Sequence, residues 1–391
     1  MSTLLSFSSI IQYVGYIIIA ILVLLLMVLI HELGHYVAGK ILKFKINEFS
    51  VGFGPKILQK TKKNGEKISL RAFPLGGYCA FEGENEDGST SPEAFNNQKP
   101  WKRLIVLFSG AFFNFLSAIV FSFILLISCG YDFVKVDSIG NNSINYSYLQ
   151  EGDVIYGVDY TNIDFVGDNY FSTLISDACE RKYATYDVES LQADADYSYI
   201  KEEKTYYMIT QDLAYNVKRD NENMVVDAKI NVIYNAEGKF SGWSMLSTES
   251  SNNDEFAIET YKYNFGEAIT QAVPFTCKWA WKVLVIFGQL ITGQLSITSL
   301  TGPVGTINMI ATQTQVNASN LVLMLPLIAV NLAVFNLLPI PALDGFQMLF
   351  TGIEWARKKP VKPSIINAVN NIGLLVLLGF VIFVDVLHLI L

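Results

Sequence analysis

Four long apolar stretches constrain this chain more than any other feature of its sequence. They cover residues 13–30, 104–128, 321–340 and 372–391. Each approaches or exceeds the ~18–20 apolar residues that a helix needs to cross the hydrocarbon core of a bilayer. Only 16% of the 391 residues are charged, against about 25% in soluble domains. We therefore predict an α-helical integral membrane protein with four transmembrane helices.

The charged residues are distributed unevenly between these stretches. Residues 40–103 contain 12 Lys and Arg, and the short segment 357–362 contains four more. Residues 131–265 contain 24 Asp and Glu against 10 Lys and Arg. Short basic loops stay in the cytoplasm, so we expect both basic segments to face inward and the acidic region and both termini to face outward. The net charge of −8 then belongs mainly to the outer region and indicates no nucleic-acid partner.

The first apolar stretch ends in the sequence HELGH, at positions 31–35. Residues i and i+4 of a helix lie on one face, so His31 and His35 can bind one zinc ion, with Glu32 beside them as a general base for water. The alternative is a chance pair of histidines that face a helix bundle, but the chain contains only three histidines. Polar side chains at membrane depth are costly and usually mark function. We therefore predict a metal site at this position.

A catalytic zinc ion typically has three protein ligands, so the site needs one more. His388 lies at the far end of the last stretch, which the predicted topology places on the outer side. Asp344 is the better candidate, because the third stretch brings it to the cytoplasmic level of His31. Two prolines in NLLPIPALDG interrupt the helix just before it, and broken helix at membrane depth requires surrounding protein or water. The alternative role for Asp344 is to cap the helix that follows.

A cytoplasmic segment and two asparagines could act on a bound peptide. Residues 48–81 alternate apolar and polar residues around Asn64-Gly65, a signal for a type I′ turn between two strands. We predict a membrane-associated β-hairpin or sheet, whose edge could pair with an extended peptide. The alternative is a hairpin that only covers the site. Asn114 and Asn336 are polar residues within apolar stretches, and either could bond a helix backbone and nothing more.

Together these motifs resemble the site-2 protease family of intramembrane zinc metalloproteases, of the regulator of sigma-E protease type. The stretches that carry the resemblance span most of the membrane portion: HELGH, VGFGPKI, LRAFPLGGYCAFEGE, NQKPWKRLIVLFSGAFFNFLSA, QLITGQLSITSLTGPVGT and NLLPIPALDG. The resemblance implies that His31, His35 and Asp344 bind Zn2+. Glu32 would be the catalytic base. The candidates for substrate binding are Asn336, Asn114, Gly52, Gly54, Gly76 and Gly77.

The acidic region is predicted to be an extracytoplasmic α+β domain. The segment YLQEGDVIYGVDYTNIDF, at positions 148–165, is similar to the strand-and-turn pattern of PDZ domains, although their glycine-rich peptide-binding loop is not recognisable. We predict four parts in the chain. Residues 1–130 form the first half of the membrane core, 131–265 a PDZ-like domain, 266–320 amphipathic helices on the membrane surface, and 321–391 the second half of the core.

The expected function is that of an intramembrane zinc metalloprotease, monomeric, in a bacterial plasma membrane, with its active site near the cytoplasmic side. Its partners would be the lipid bilayer and single-span membrane proteins, such as anti-sigma factors or signal-peptide remnants, cut in regulated intramembrane proteolysis. A zinc-binding transporter or sensor is the alternative, but transporters tend to contain internal repeats and this sequence shows none. An inactive scaffold is a third reading, which the presence of Glu32 opposes.

Overall fold

The computed structural model describes residues 7–84, 91–140, 143–159, 161–162, 170–201, 204–220, 222–244, 255–293, 300–359, 361 and 363–390. The helices are α1 (Phe7–Ile41), α2 (Pro100–Ser128), α3 (Tyr170–Tyr183), α4 (Val188–Asp194), α5 (Phe265–Ile291), α6 (Pro303–Val316), α7 (Ala318–Leu337), α8 (Asp344–Arg357) and α9 (Pro363–Ile390). The strands are β1 (Ile46–Thr61), β2 (Lys67–Phe81), β3 (Tyr131–Ser138), β4 (Val154–Val158), β5 (Thr161–Asn162), β6 (Tyr197–Lys201), β7 (Lys204–Arg219), β8 (Glu222–Asn235), β9 (Phe240–Ser244) and β10 (Glu255–Tyr261).

The chain forms two compact units. The first contains Met1–Cys129 and Tyr263–Leu391 and is mainly helical, and the second contains Gly130–Lys262 and is built on a sheet. The finer division into four parts stays a prediction.

Four helices of the first unit are long and apolar enough to cross a membrane. They cover Ile11–Ile41, Pro100–Ser128, Ala318–Leu337 and Ala368–Leu387. The four apolar helices predicted from the sequence are thus confirmed, as α1, α2, α7 and α9. α2 begins at Pro100, whose missing N–H is not needed in the first helical turn. α7 ends before Pro339 and Pro341, because proline cannot continue a regular helix.

Small residues let α1 and α2 approach closely. A Cβ atom at Gly34 of α1 would overlap the carbonyl oxygen of Ser109, and one at Gly110 of α2 would overlap the imidazole of His35. Small residues at a helix crossing permit this backbone contact in an apolar environment. Apolar residues of α1, α2, α5, α6 and α7 form a separate buried cluster. The HELGH segment is therefore held against α2 at a crossing that tolerates no larger side chain.

β1 and β2 pair as an antiparallel hairpin, as the alternating sequence pattern predicts. Both strands bend. As a result, residues 46–51 of β1 lie between two segments of β2 and pair with residues 77–81 on one side and with residues 67–70 on the other. Residues 56–61 pair with the outer side of 67–71. Among the described residues, segment 77–81 pairs on one side only, so it is an edge of this small sheet.

The predicted type I′ turn between the two strands is wrong. That turn requires positive φ at both Asn64 and Gly65, and only Gly65 has it, at 84°. The N–H of Gly65 instead donates to the carbonyl of Lys62 at 3.0 Å, and the N–H of Lys62 donates to the carbonyl of Glu66 at 2.8 Å. These bonds describe a longer loop in which Gly65 is the left-handed bulge residue. The Asn-Gly dipeptide therefore predicts the position of the hairpin correctly, but not the type of its turn.

The second unit is built on one antiparallel sheet. Its strand order is β10-β3-β4-β7-β8-β9, with β5 beside β4 and β6 beside β7. β8 pairs with β7 over its whole length, from Tyr206↔Asn235 to Arg219↔Glu222. Apolar side chains of this sheet and of α3 and α4 form its core. The guanidinium of Arg219 donates two hydrogen bonds, of 2.7 and 2.6 Å, to the buried carboxylate of Asp153. The PDZ-like assignment of this unit stays a prediction.

Candidate metal centre

The fold brings two histidines of α1 and the first residue of α8 to one point. The Nε2 atom of His31 lies 2.9 Å from Oδ2 of Asp344, and Nε2 of His35 lies 3.2 Å from the same oxygen. The two Nε2 atoms are 3.1 Å apart. His31 and His35 are only 8% and 7% exposed. Within the described residues, these three side chains form a group of His and Asp ligands close enough together to bind one metal ion.

These three atoms fit a zinc ion in both geometry and chemistry. Tetrahedral zinc with ligands at about 2.0–2.1 Å has ligand-to-ligand separations of about 3.3 Å, close to the observed distances. Oδ2 of Asp344 is buried and faces both Nε2 atoms, but it accepts no well-directed hydrogen bond from the described residues. A buried carboxylate oxygen without a donor is costly unless a cation compensates it. Two imidazoles and one carboxylate leave a fourth position for water or substrate.

Neighbouring groups set the orientation of His35. Its Nδ1 atom lies 2.8 Å from the carbonyl oxygen of Val106 in α2. A carbonyl only accepts, so Nδ1 of His35 carries the proton and donates. The lone pair of Nε2 is then free to face a metal, the arrangement that metal-binding histidines usually show.

Two asparagines orient the other histidine. The amide nitrogens of Asn114 and Asn336 each lie 3.4 Å from Nδ1 of His31. When Nε2 of His31 faces a metal, Nδ1 carries the proton and needs an acceptor. The Oδ1 atom of Asn114 is buried and has no hydrogen-bond partner within the part of the chain that the structure describes. A rotation of its amide by about 180° would place that oxygen against Nδ1 of His31. Both predicted asparagines thus lie beside the histidine that the sequence had singled out.

Glu32 lies next to the metal-ligating face and beside the sheet edge. The carboxylate is half-buried and accepts a hydrogen bond from the backbone N–H of Cys79 in β2. A Cβ atom at Gly77 would lie 3.7 Å from Cγ of Glu32 and 2.7 Å from the carbonyl oxygen of Ser50. The edge segment 77–81 therefore runs directly past Glu32.

The other three predicted glycines serve the hairpin itself. Gly52 and Gly54 have φ near 83° and 84°, in the left-handed region, and Gly76 has φ of 134°. A Cβ atom on Gly52 would lie 2.7 Å from the carbonyl oxygen of Phe73. At Gly54 and Gly76 it would run into the rings of Phe73 and Phe53. These contacts are within the hairpin, so Gly77 is the predicted glycine that the structure brings to Glu32.

The region around Asp344 bears on the capping role that the sequence left open for this residue. Asp344 begins α8, but the residue at the N-cap position is Leu343, and Asp344 makes no capping bond there. Its carboxylate is instead directed to the histidines. Phe346, two residues further along α8, is 6% exposed and packs at a tilt against the ring of Phe350, with the ring centroids 4.7 Å apart. The side chain of His388, the rejected third ligand, lies outside the described residues.

Sequence reasoning missed two contributions to the site. Gly110 of α2 has no side chain where His31 and His35 approach it, and its place in the quoted stretch SGAFFNF was the available signal. α5 also reaches this region: the rings of Phe287 and Phe335 meet edge-on at 6.0 Å, one residue before Asn336. The amphipathic sequence of α5 did not indicate which helices α5 would contact.

Comparison with known proteins agrees with this geometry. The model of peptidase family M50 matches residues 19–380. A protein of Clostridium perfringens named "Putative zinc metalloprotease" is 28% identical over 374 residues, which cover 95% of this chain and 97% of that protein. Proteins of the same name in Clostridium acetobutylicum and Fusobacterium nucleatum are 29% and 27% identical, and the aligned regions cover 95% and 94% of this chain and 96% of each relative.

The chain therefore belongs to peptidase family M50, the site-2 proteases. It is a metalloprotease that uses Zn2+, and its apolar helices make it a membrane protein. The predicted family, enzyme class and cofactor are thus confirmed.

Proposed function

We propose that this protein is an intramembrane endopeptidase that cuts transmembrane segments of single-span membrane proteins. One observation carries the proposal: His31 and His35 lie on the last turns of an apolar helix long enough to span a membrane, and Asp344 converges on them from the start of α8. A soluble substrate would not require its catalytic site to be built on such a helix. A substrate whose peptide bond lies in the bilayer would.

The charge distribution supports one orientation in a bacterial plasma membrane. The basic segments 40–103 and 357–362 remain in the cytoplasm, and the acidic unit Gly130–Lys262 and both termini lie outside. α1 then runs inward, which places His31 and His35 near the cytoplasmic face. α7 also runs inward and delivers Asp344 to the same level.

The ligand set and Glu32 suffice for peptide hydrolysis. When bound, zinc supplies a Lewis acid that polarises the scissile carbonyl and activates a water molecule. Glu32 accepts a proton from the attacking water and passes it to the leaving amine. The backbone N–H of Cys79 holds the carboxylate of Glu32 in place during this transfer. The fourth position of the site admits the water or the substrate carbonyl.

The edge of the hairpin offers a way to hold an unwound substrate. A helical substrate protects its peptide bonds with its own hydrogen bonds, so the segment must be extended before it is cut. Among the described residues, segment 77–81 pairs with a strand on one side only, and strand addition to such an edge supplies main-chain hydrogen bonds. A substrate strand added there passes Glu32. The alternative is a hairpin that only covers the site. It predicts no main-chain pairing between the hairpin and the substrate.

The asparagines and the outer unit have supporting roles in this proposal. Asn336 contacts the substrate backbone near the scissile bond, and Asn114 holds His31. The unit Gly130–Lys262 acts as a PDZ-like domain that screens substrates by size, so that substrates enter after another protease has trimmed their outer portion. Anti-sigma factors and signal-peptide remnants have the required form, a single span with a short outer segment.

A reconstituted assay tests the proposal. Purified protein in lipid vesicles should cut a single-span reporter within its apolar segment, as shown by mass spectrometry of the products. Proline or glycine near the cut should increase the rate, because helix-breaking residues lower the cost of unwinding. The matched control is the same reporter with a large folded outer domain, which should be cut slowly. Zinc transfer across the vesicle without any cleavage would instead establish the transporter alternative.

A further inference from the structure

A buried ion pair joins two helices of the membrane unit far from each other in sequence. The Nη1 atom of Arg103 in α2 lies 2.7 Å from Oε2 of Glu354 in α8. The two residues are 9% and 8% exposed. The second carboxylate oxygen of Glu354 accepts the backbone N–H of Val361 at 2.9 Å. The guanidinium also lies over the ring of Phe95, at 5.3 Å from its centroid.

Stability alone does not account for this pair. Burying two charges costs desolvation that the attraction often fails to exceed, so a buried pair is weak evidence for stability. Moreover, Nε of Arg103 has no hydrogen-bond partner among the described residues. What the pair does provide is geometric constraint, because a charged hydrogen bond from Nη1 to Oε2 connects α2 to α8 while the other carboxylate oxygen of Glu354 is held by Val361.

The constraint acts on the helix that carries a metal ligand. Asp344 and Glu354 are both on α8, about 15 Å apart along its axis and about 80° apart around it, since each residue advances about 1.5 Å and 100°. Thr351, between them on this face, is 1% exposed. The face that packs into the protein therefore has Asp344 at one end and Glu354 at the other.

α2 provides the matching attachment points. Arg103 and Asn114 are 11 residues apart, about 16 Å along the helix. Asn114 contacts His31, and His31 contacts Asp344. The contacts among His31, Asn114, Arg103, Glu354 and Asp344 thus close a ring that we call the α2–α8 frame. Its sides along α2 and α8 have nearly equal length.

We propose that Arg103 and Glu354 are positioning residues for the metal centre, which fix the rotation of α8 and thereby hold the carboxylate of Asp344 against the two histidines. The inference rests on the proposed role of Asp344 as a ligand. Without the ion pair, the Arg357 end of α8 loses its charged attachment to α2, and small rotations of the helix move the carboxylate of Asp344 directly.

Metal release from the full-length protein in detergent tests the proposal. Zinc dissociation into a chromophoric chelator should be on the order of 10-fold faster in Glu354→Gln and Arg103→Gln, at the lower end of the loss seen when groups that orient metal ligands are removed. The absorption bands of Co2+ placed in the site should shift as well. The double variant should release zinc more slowly than either single variant, because neither buried charge is left unpaired. Arg103→Lys, which retains the charge but not the reach and planarity of the guanidinium, should release zinc at an intermediate rate.

A matched control separates positioning from general stability. Asp153→Asn breaks the buried ion pair with Arg219 in the second unit, and should lower the unfolding temperature without changing zinc release or the Co2+ spectrum. The proposal is overturned if Glu354→Gln lowers the unfolding temperature but releases zinc at the wild-type rate. If Asp344→Ala also releases zinc at the wild-type rate, the assignment of Asp344 as a ligand is itself wrong. The measurement on Glu354→Gln alone would not reveal that error.

Discussion

At the scale of single residues, the candidate ligands could be predicted because the sequence specifies both their spacing along the helix and their expected depth in the membrane. HELGH places two imidazoles on one helical face, and the broken helix before Asp344 marks a polar residue at the same level. The groups that orient these ligands were less accessible. The backbone of α2 contacts the histidines at the carbonyl of Val106 and at Gly110, which has no side chain. The residue types Val and Gly do not indicate such contacts.

The choice of Asp344 as third ligand can be tested by metal content. Asp344→Ala should reduce bound zinc well below about one ion per chain, because two imidazoles alone leave the site incomplete. Atomic absorption on the purified protein measures this. His388→Ala is the matched control and should retain the wild-type content. Zinc lost from the His388 variant and kept in the Asp344 variant would reverse the assignment.

At the scale of elements, long apolar helices and the hairpin followed from the sequence, whereas the turn and the contacts of α5 did not. Apolar length and alternation report on burial and strand formation directly. The turn type depends on φ at a single residue, Asn64, which the dipeptide Asn-Gly leaves open. The packing of α5 depends on tertiary partners, such as the hydrogen bond between Ser122 and Thr276 at 2.9 Å.

The hairpin loop is fastened to α1 by a buried carboxylate, and this contact should depend on pH. Glu66 is 1% exposed and accepts hydrogen bonds from Lys40, from Lys62 at 2.9 Å and from Tyr36 at 2.8 Å. Burial alone would raise the pKa of Glu66, but the bonds from Lys40, Lys62 and Tyr36 outweigh it and lower the pKa from 4.5 to about 2.

A lowered pKa stabilises the folded state above the unfolded value of 4.5, and the stabilisation is lost as pH falls toward 2. Unfolding temperatures measured across this range should therefore fall less steeply in Glu66→Gln than in the wild type. Glu237→Gln, an exposed acid in the second unit, should leave the pH dependence unchanged. Parallel curves for the wild type and Glu66→Gln would show that this contact does not carry the effect.

At the scale of the whole molecule, charge asymmetry predicted an outer region, and the structure contains a compact unit at Gly130–Lys262. The sheet order of this unit could not have been predicted, since pairing of β10 with β3 joins strands at opposite ends of the unit. Sequence periodicity describes each strand but not its distant partner. The proposed membrane orientation, in contrast, is a prediction from basic residues counted along the chain.

That orientation predicts the outcome of cysteine labelling in intact cells. Single cysteines introduced at exposed positions in residues 222–239 should react with a membrane-impermeant reagent, and those in residues 60–67 should react only after lysis. The four native cysteines would first be replaced by serine or alanine. Labelling of the 60–67 loop in intact cells would invert the topology and reopen the case for His388.

The central claim is that this is a protease whose metal site includes a separate general base, and Glu32→Gln tests it most directly. Glutamine retains the shape of the side chain but cannot take the proton from water, and Glu32 is not among the converging ligands. Zinc content should therefore stay at the wild-type level while cleavage of the single-span reporter falls by about 10²–10⁴-fold. Glu93→Gln, an exposed acid of the same unit, should cleave normally. Normal cleavage by Glu32→Gln, with zinc still bound, would contradict the account.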